Sequence, residues 1–253
     1  MSLPTSPNRT TPSSLRIGDR GWPVFALQCG LDELGHDCEA DGVFGPATYR
    51  AVQAFQRKIQ TLTIDGVAGP ATQNQIVWLI DRKIHSRHPT LPTGLLQGFA
   101  VTESGNLLGA TNWNVAGGVD CGVAQIRVAG PPFSVSTMRV AYDPTLAMDQ
   151  VAVAFLGRTH RLSQLSYANK HSIEWAKRCA ALSWNWPWAA EQFASKGKLP
   201  NPSLDATWAV VNGKRIKFPD GAPVMTYDDW ARFYALGGEH GEGRVTRFVT
   251  EWT

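Results

Sequence analysis

The sequence predicts a mainly α protein in two parts: a small three-helix domain, then a larger helical domain with a small β-hairpin. Three observations predict it. A turn followed by a helix start occurs twice, DGVFGPAT at 41–48 and DGVAGPAT at 65–72, with seven of eight positions identical. An apolar stripe through Leu96, Phe99 and Ala100 ends at Glu103, just before a glycine-rich stretch. Asn212-Gly213 separates two alternating runs, the strongest short-range hairpin signal.

Composition sets the outer bounds. The chain has 253 residues, 43% hydrophobic and 18% charged, which fits globular rather than disordered protein. The net charge of +3 comes without a dense basic stripe, so nucleic acid is not an expected partner. No stretch approaches the ~18 consecutive apolar residues of a membrane span. The opening MSLPTSPNRTTPSS is polar, with no apolar run that could act as a secretory signal, and residues 1–13 read as a disordered or extended tail. Four cysteines are too few for a disulfide scaffold and form no CxxC pair, so they read as buried free thiols. His85 to His88 is an HxxH without the glutamate of a zincin helix, and no metal site or cofactor is expected. Ten tryptophans are many, and core packing is the expected role for most of them.

The first domain is read at 14–82. GWPVFALQCGLDEL places Val24, Leu27, Leu31 and Leu34 at helical spacing. Each DG pair supplies a tight turn, and each Gly-Pro stops one segment while the proline opens the next helix. Val52, Phe55 and Ile59 then mark the second helix, and Ile76, Leu79, Ile80 and Ile84 the third. Asp41, Gly42, Gly45, Thr48 and their repeat counterparts are expected to build turns rather than touch a ligand. The polar, proline-bearing stretch at 83–93 reads as a linker, and 94–253 as the second domain.

In the second domain Glu103 falls on the apolar face of its helix, and Gly105 is expected to end that helix. Burial there would disfavour the charged carboxylate and raise its pKa, as a proton donor to a leaving oxygen requires. Asp120, in the loop VAGGVDCG, is the candidate for positioning or activating water, with an Asx-type turn as its plain structural alternative. Toward the C-terminus, Thr226 and Asp229 form a capping-box variant. It opens a helix whose Trp230, Phe233 and Tyr234 face the core, while Asp228 and Glu239 are ordinary exposed residues.

Two resemblances follow from these segments. LRIGDRGWPVFALQ, DGVFGPATYRAVQAFQ and DGVAGPAT, from about Leu15 to Leu79, together resemble the peptidoglycan-binding domain found beside many cell-wall hydrolases. The resemblance implies an anchoring module without chemistry of its own. ESGN at 103–106, DCGVAQI at 120–126 and ALSWNWPWAAEQF at 181–193 resemble, in order, segments of the lysozyme-like superfamily, especially soluble lytic transglycosylases and goose-type lysozymes. That resemblance implies Glu103 as general acid, and Ser104, Gln125 of the G-x-x-Q element, Asn185 and Trp184 as substrate-binding residues. Trp184 stands where the family has tyrosine, and Pro187 interrupts its glycine, so Trp184 and Trp186 remain either sugar platforms or core.

The expected protein is a phage endolysin-like enzyme cutting the β-1,4 bond between N-acetylmuramic acid and N-acetylglucosamine. It would be made in the host cytoplasm and act on the wall after release. Lytic transglycosylation, leaving anhydro ends, is the alternative if no second carboxylate reaches the cleft. A zinc amidase or peptidase of the stem peptide and a non-catalytic wall-binding protein are the rivals from other classes. Bacterial peptidoglycan is the expected partner, without membrane insertion, and the chain is expected to be a monomer.

Overall fold

The computed structural model describes residues 3–91, 95–115, 117–166 and 168–170, a few positions between 173 and 196, and two strands at 208–211 and 214–217. The protein is mainly helical. Helices α1 (Trp22–Glu33), α2 (Pro46–Lys58) and α3 (Pro70–Arg87) form the N-terminal module. Then come α4 (Leu95–Ser104), strands β1 (Thr111–Val115), β2 (Gly118–Cys121) and β3 (Ile126–Ala129), α5 (Val135–Tyr142) and α6 (Pro144–Ser163). A short 3-10 turn at Ala168–Lys170 precedes β4 (Trp208–Val211) and β5 (Lys214–Lys217).

The module is built as its residue spacing dictates. Proline occupies the first position of both α2 and α3, behind an extended glycine, where its missing N–H costs nothing. Val24, Leu27 and Leu31 of α1, Val52 and Phe55 of α2, and Ile76, Ile80 and Ile84 of α3 are all fully buried. Val77 is buried beside them, whereas Leu79 is only half-buried. Isolated bridges Leu15↔Ala68 and Arg20↔Val43 stitch the entry segment to the two repeated turns.

Two sequence expectations change here. Helix α3 continues to Arg87, so residues 83–87 are helix rather than linker, because Ile84 still reaches the core. The chain also divides differently from a single break at 83–93. One compact unit comprises Met1–His88 and Glu103–Gln150, and the other comprises Pro89–Thr102 and Val151–Thr253.

In the first unit the sheet β1-β2-β3 is antiparallel throughout, with Asn112↔Asp120 and Asp120↔Arg127 in register. Trp22, fully buried, joins the module to this sheet. Its ring stacks on Tyr142 at 5.2 Å, and the Tyr142 hydroxyl lies 2.7 Å from Thr111 Oγ1. The N-terminal segment lies extended against both: Trp22 Nε1 donates to the Ser6 carbonyl (3.1 Å), Trp113 Nε1 to that of Asn8 (2.8 Å), and Thr111 N to Thr11 Oγ1 (2.9 Å).

In the second unit α4 buries Leu95, Leu96, Phe99 and Ala100, and α6 buries Val151, Ala152, Phe155 and Leu162. Arg161 of α6 pairs with Glu191. Strands β4 and β5 pair antiparallel with Val211↔Lys214 in register, which leaves two residues for the connection, as the Asn212-Gly213 signal requires. The expected helix carrying Trp230, Phe233 and Tyr234, and with it Asp228 and Glu239, lies outside the described residues. No helix of the described residues is long and apolar enough to cross a membrane.

Candidate functional site

Each repeated turn is closed by a glutamine reaching back from the preceding helix. Gln28, buried on α1, accepts from Gly42 N through Oε1 (2.8 Å). Its Nε2 donates to Asp41 Oδ1 (2.8 Å), Thr48 Oγ1 (3.0 Å) and the Val43 carbonyl (3.1 Å). Gln56, buried on α2, repeats the pattern one turn later. It accepts from Gly66 N (2.9 Å) and donates to Asp65 Oδ1 (2.8 Å), the Val67 carbonyl (3.0 Å) and Thr72 Oγ1 (3.4 Å). Asp41 and Asp65 each also accept from the N–H two residues on, the Asx-turn geometry. Gly42 and Gly66 have φ of +74° and +73°, the left-handed region that favours glycine. Burial raises the pKa of Asp41, but bonds from Gln28 and the Val43 N–H outweigh it and hold the carboxyl below its ordinary value. The Val67 N–H and then Gln56 do the same for Asp65, against a smaller opposing effect of burial.

Glu103 sits in the last turn of α4 and is partly buried. The helix ends at Ser104, and Gly105 and Asn106 follow with φ of +62° and +61°. Helix α3 holds this loop: Asn106 Nδ2 donates to Asn74 Oδ1 (2.7 Å), and Leu108 N donates to Gln73 Oε1 (3.0 Å). Asn106 is itself buried, and its Oδ1 has no hydrogen-bond partner among the described residues. The loop then meets the G-x-x-Q element, because Gly122 N donates to the Ala110 carbonyl (2.8 Å). Residues 122–125 form the turn between β2 and β3. Gly122 has φ +75°, and a Cβ there would run into the Ala141 carbonyl. Gln125, at φ +50°, closes the turn by donating from Nε2 to the Gly122 carbonyl (2.9 Å).

Asp120 has a defined partner. Its Oδ1 lies 2.7 Å from Arg127 Nε, the residue opposite it on β3. Val119 and Cys121 are fully buried, so the alternation of β2 puts Asp120 on the other face of the sheet. Burial pushes the Cys121 thiol up to about 11. Cys38 is likewise a buried free thiol and Cys29 a half-buried one, both raised mainly by burial. The chain thus brings Glu103, Ser104 and the G-x-x-Q turn into one hydrogen-bonded segment, with Asp120 one residue before Cys121 on the adjoining strand. Trp184, Asn185 and Trp186 lie outside the described residues. Among the described residues no three His, Cys, Asp or Glu side chains are placed to hold a metal ion.

Residues 20–76 match the peptidoglycan binding domain family. Both glutamine-closed turns, with α1, α2 and the first part of α3, lie inside that match. A zinc D-Ala-D-Ala carboxypeptidase of Streptomyces albus G is 44% identical over 75 residues, covering 28% of this chain and 29% of that protein. The crystal structure of Burkholderia AP3 phage endolysin is similar at 29% identity over 37% of this chain and 39% of that chain, with a TM-score of 0.25. The chain therefore spans well under half the length of either protein it matches.

Sequence reasoning missed Gln28, Gln56, Gln73 and Asn106. The two turn-closing glutamines escape a repeat search because Gln28 stands 13 residues before its aspartate and Gln56 only 9. Their offset therefore differs from that of the turns they close.

Proposed function

We propose that this chain is a peptidoglycan-cleaving enzyme that holds the wall through residues 20–76 and cuts the β-1,4 bond between N-acetylmuramic acid and N-acetylglucosamine. Glu103 is the general acid. The observation that carries this reading is the setting of Glu103: partly buried, at a helix end, in a loop bonded to both the peptidoglycan-binding domain and the G-x-x-Q turn. A carboxyl group placed in this way is positioned to give a proton to a sugar oxygen. As Glu103 donates to the bridging oxygen, the bond from that oxygen to the anomeric carbon breaks and positive charge develops at that carbon.

Two fates of that carbon are chemically open, and the Asp120–Arg127 pair favours one of them. Asp120 Oδ1 already accepts from Arg127 Nε at 2.7 Å, so that oxygen is committed to the strand pair rather than to a water. The substrate's own C6 hydroxyl needs no second carboxylate. It adds to the anomeric carbon while the Glu103 carboxylate, now unprotonated, takes the hydroxyl proton. The product is an anhydro-muramic end. On this reading Ser104 and Gln125 line the sugar path, and Asp120 positions the strand before the G-x-x-Q turn.

The carboxypeptidase relative suggests a zinc peptidase instead, a reading that chelation tests directly. Turbidity loss of purified walls separates the readings. Wild type is expected to clear them equally with and without EDTA, and Glu103→Gln is expected to lose at least about a hundredfold in rate. Full clearing by Glu103→Gln, or a loss of clearing in EDTA, would refute the proposal.

A further inference from the structure

The peptidoglycan-binding domain carries a hollow of about 490 Å³ between the α1–α2 loop and α2, within the size range of small-ligand sites. Its floor is Ala47, Ala51 and Ala54, four and three residues apart and so on one face of α2. Their methyl groups leave that face low. Around the floor stand His36, Asp37, Glu39 and Arg50. Among the described residues no Trp, Tyr or Phe lines it, so these offer no flat platform of the kind a sugar ring uses.

The charges are the informative feature. Arg50 of α2 and Asp37 and Glu39 of the α1–α2 loop line the same hollow, yet none of the three forms an ion pair among the described residues. An adjoining hollow of about 310 Å³ shares Asp37 and Glu39 and adds Asp32 and Asp143. The trough therefore presents a cation from α2 and anions from the α1–α2 loop. His36 lies among them. Burial, and then Lys58, lower its pKa, and its ring stands edge-on to Phe55 at 5.5 Å. Its Nε2 is shielded from solvent and has no hydrogen-bond partner among the described residues, an unusual state for a buried polar atom.

We propose that this trough binds the stem peptide of peptidoglycan rather than its glycan strand, with a peptide carboxylate on Arg50 and the ammonium of a diamino acid toward Asp37 and Glu39. The inference rests on the reading of residues 20–76 as wall-binding and adds which part of the wall is recognised. A zwitterionic peptide satisfies both kinds of charge at once. Uncharged N-acetylated sugars satisfy neither, and a phosphate-bearing ligand would meet the carboxylates.

The test uses the full chain and three probes: purified wall sacculi, the synthetic tripeptide L-Ala-γ-D-Glu-L-Lys, and peptide-free tetra-N-acetylchitotetraose. The expected result is that wild type co-sediments with sacculi and that the tripeptide, not the chitotetraose, shifts amide resonances of α2. Arg50→Glu should weaken tripeptide binding at least about tenfold, the usual scale for a charge-assisted contact. Ala54→Phe, which fills the exposed edge of the hollow without changing charge, should weaken it comparably. Acetylating the lysine side chain of the tripeptide should also weaken binding. Sacculus binding with a chitotetraose response and none to tripeptide overturns the stem-peptide assignment and leaves the wall-binding reading standing. Absence of sacculus binding by folded wild type overturns both.

Discussion

Replacing Gln28 by alanine isolates the device that holds the first repeated turn. The substitution removes the acceptor of Gly42 N and the donor shared by Asp41 Oδ1, Val43 O and Thr48 Oγ1. Gln28 is 1% exposed, so water does not replace these partners without opening the turn. An unsatisfied buried amide costs about 1–3 kcal/mol, and the bond to the ionised Asp41 adds to it, for a total of about 3 kcal/mol. For a chain of this size that corresponds to a fall in Tm of about 6–12 °C. The assay is thermal and urea unfolding of the full chain, with Gln53→Ala as comparator. Gln53 is a half-buried residue of the same module whose Nε2 donates only to the Tyr49 hydroxyl, so its removal should cost less than about 1 kcal/mol. Gln56→Ala should match Gln28→Ala, because the second turn is closed the same way. If Gln28→Ala and Gln53→Ala prove equally mild, the glutamines do not hold the turns and the reasoning fails.

Two other predictions follow from the same geometry. Asp41 and Asp65 have folded pKa values below the ordinary 3.8, so their contribution to stability is complete above 3.8 and is lost as pH falls through the folded values. Asp143, raised mainly by burial, acts in the opposite sense, adding stability as pH falls through its own folded value toward 3.8. Melting from pH 6 to pH 2.5 should therefore steepen below 3.8, and the Asp41→Asn, Asp65→Asn double variant should flatten that limb; an unchanged slope contradicts the assignment. Gly122→Ala places a Cβ against the Ala141 carbonyl at a φ of +75°, and should cost about 3 kcal/mol or more. The same change at Gly105, also at positive φ but with open space around it, should cost only about 1–2 kcal/mol; near-equal losses at both sites would remove the role assigned to the Ala141 contact.

The module was legible because its signals are local. Pro46 and Pro70 start helices wherever the chain folds, and Phe55 and Ile80 fall inward by spacing alone. The sheet was not legible. TNWNV alternates over only five residues, and β2 and β3 are four residues each, too short for a period-2 pattern to stand out. They are fixed instead by contacts distant in sequence, Thr111 with Tyr142 and Thr11, and Gly122 with Ala110. The Asp120–Arg127 pair appears only once that register is known, which is why Asp120 read from sequence as a free carboxylate in a turn. The stretch at 83–93 looked like a linker because His85, Ser86 and Arg87 are polar, yet they occupy the exposed side of a helix whose inner side is Ile84. Glu103 was legible as a position, an apolar stripe ending before glycine. Its support by Asn74 and Gln73 depends on α3 packing nearby, which no local pattern encodes.

The most direct measurement is mass spectrometry of the soluble fragments released from purified sacculi by the wild-type chain and by Glu103→Gln. Anhydro-muramic termini from the wild type, with none from the variant, is the predicted result. Newly freed amino groups with intact glycan strands, or identical glycan fragments from both proteins, would contradict it.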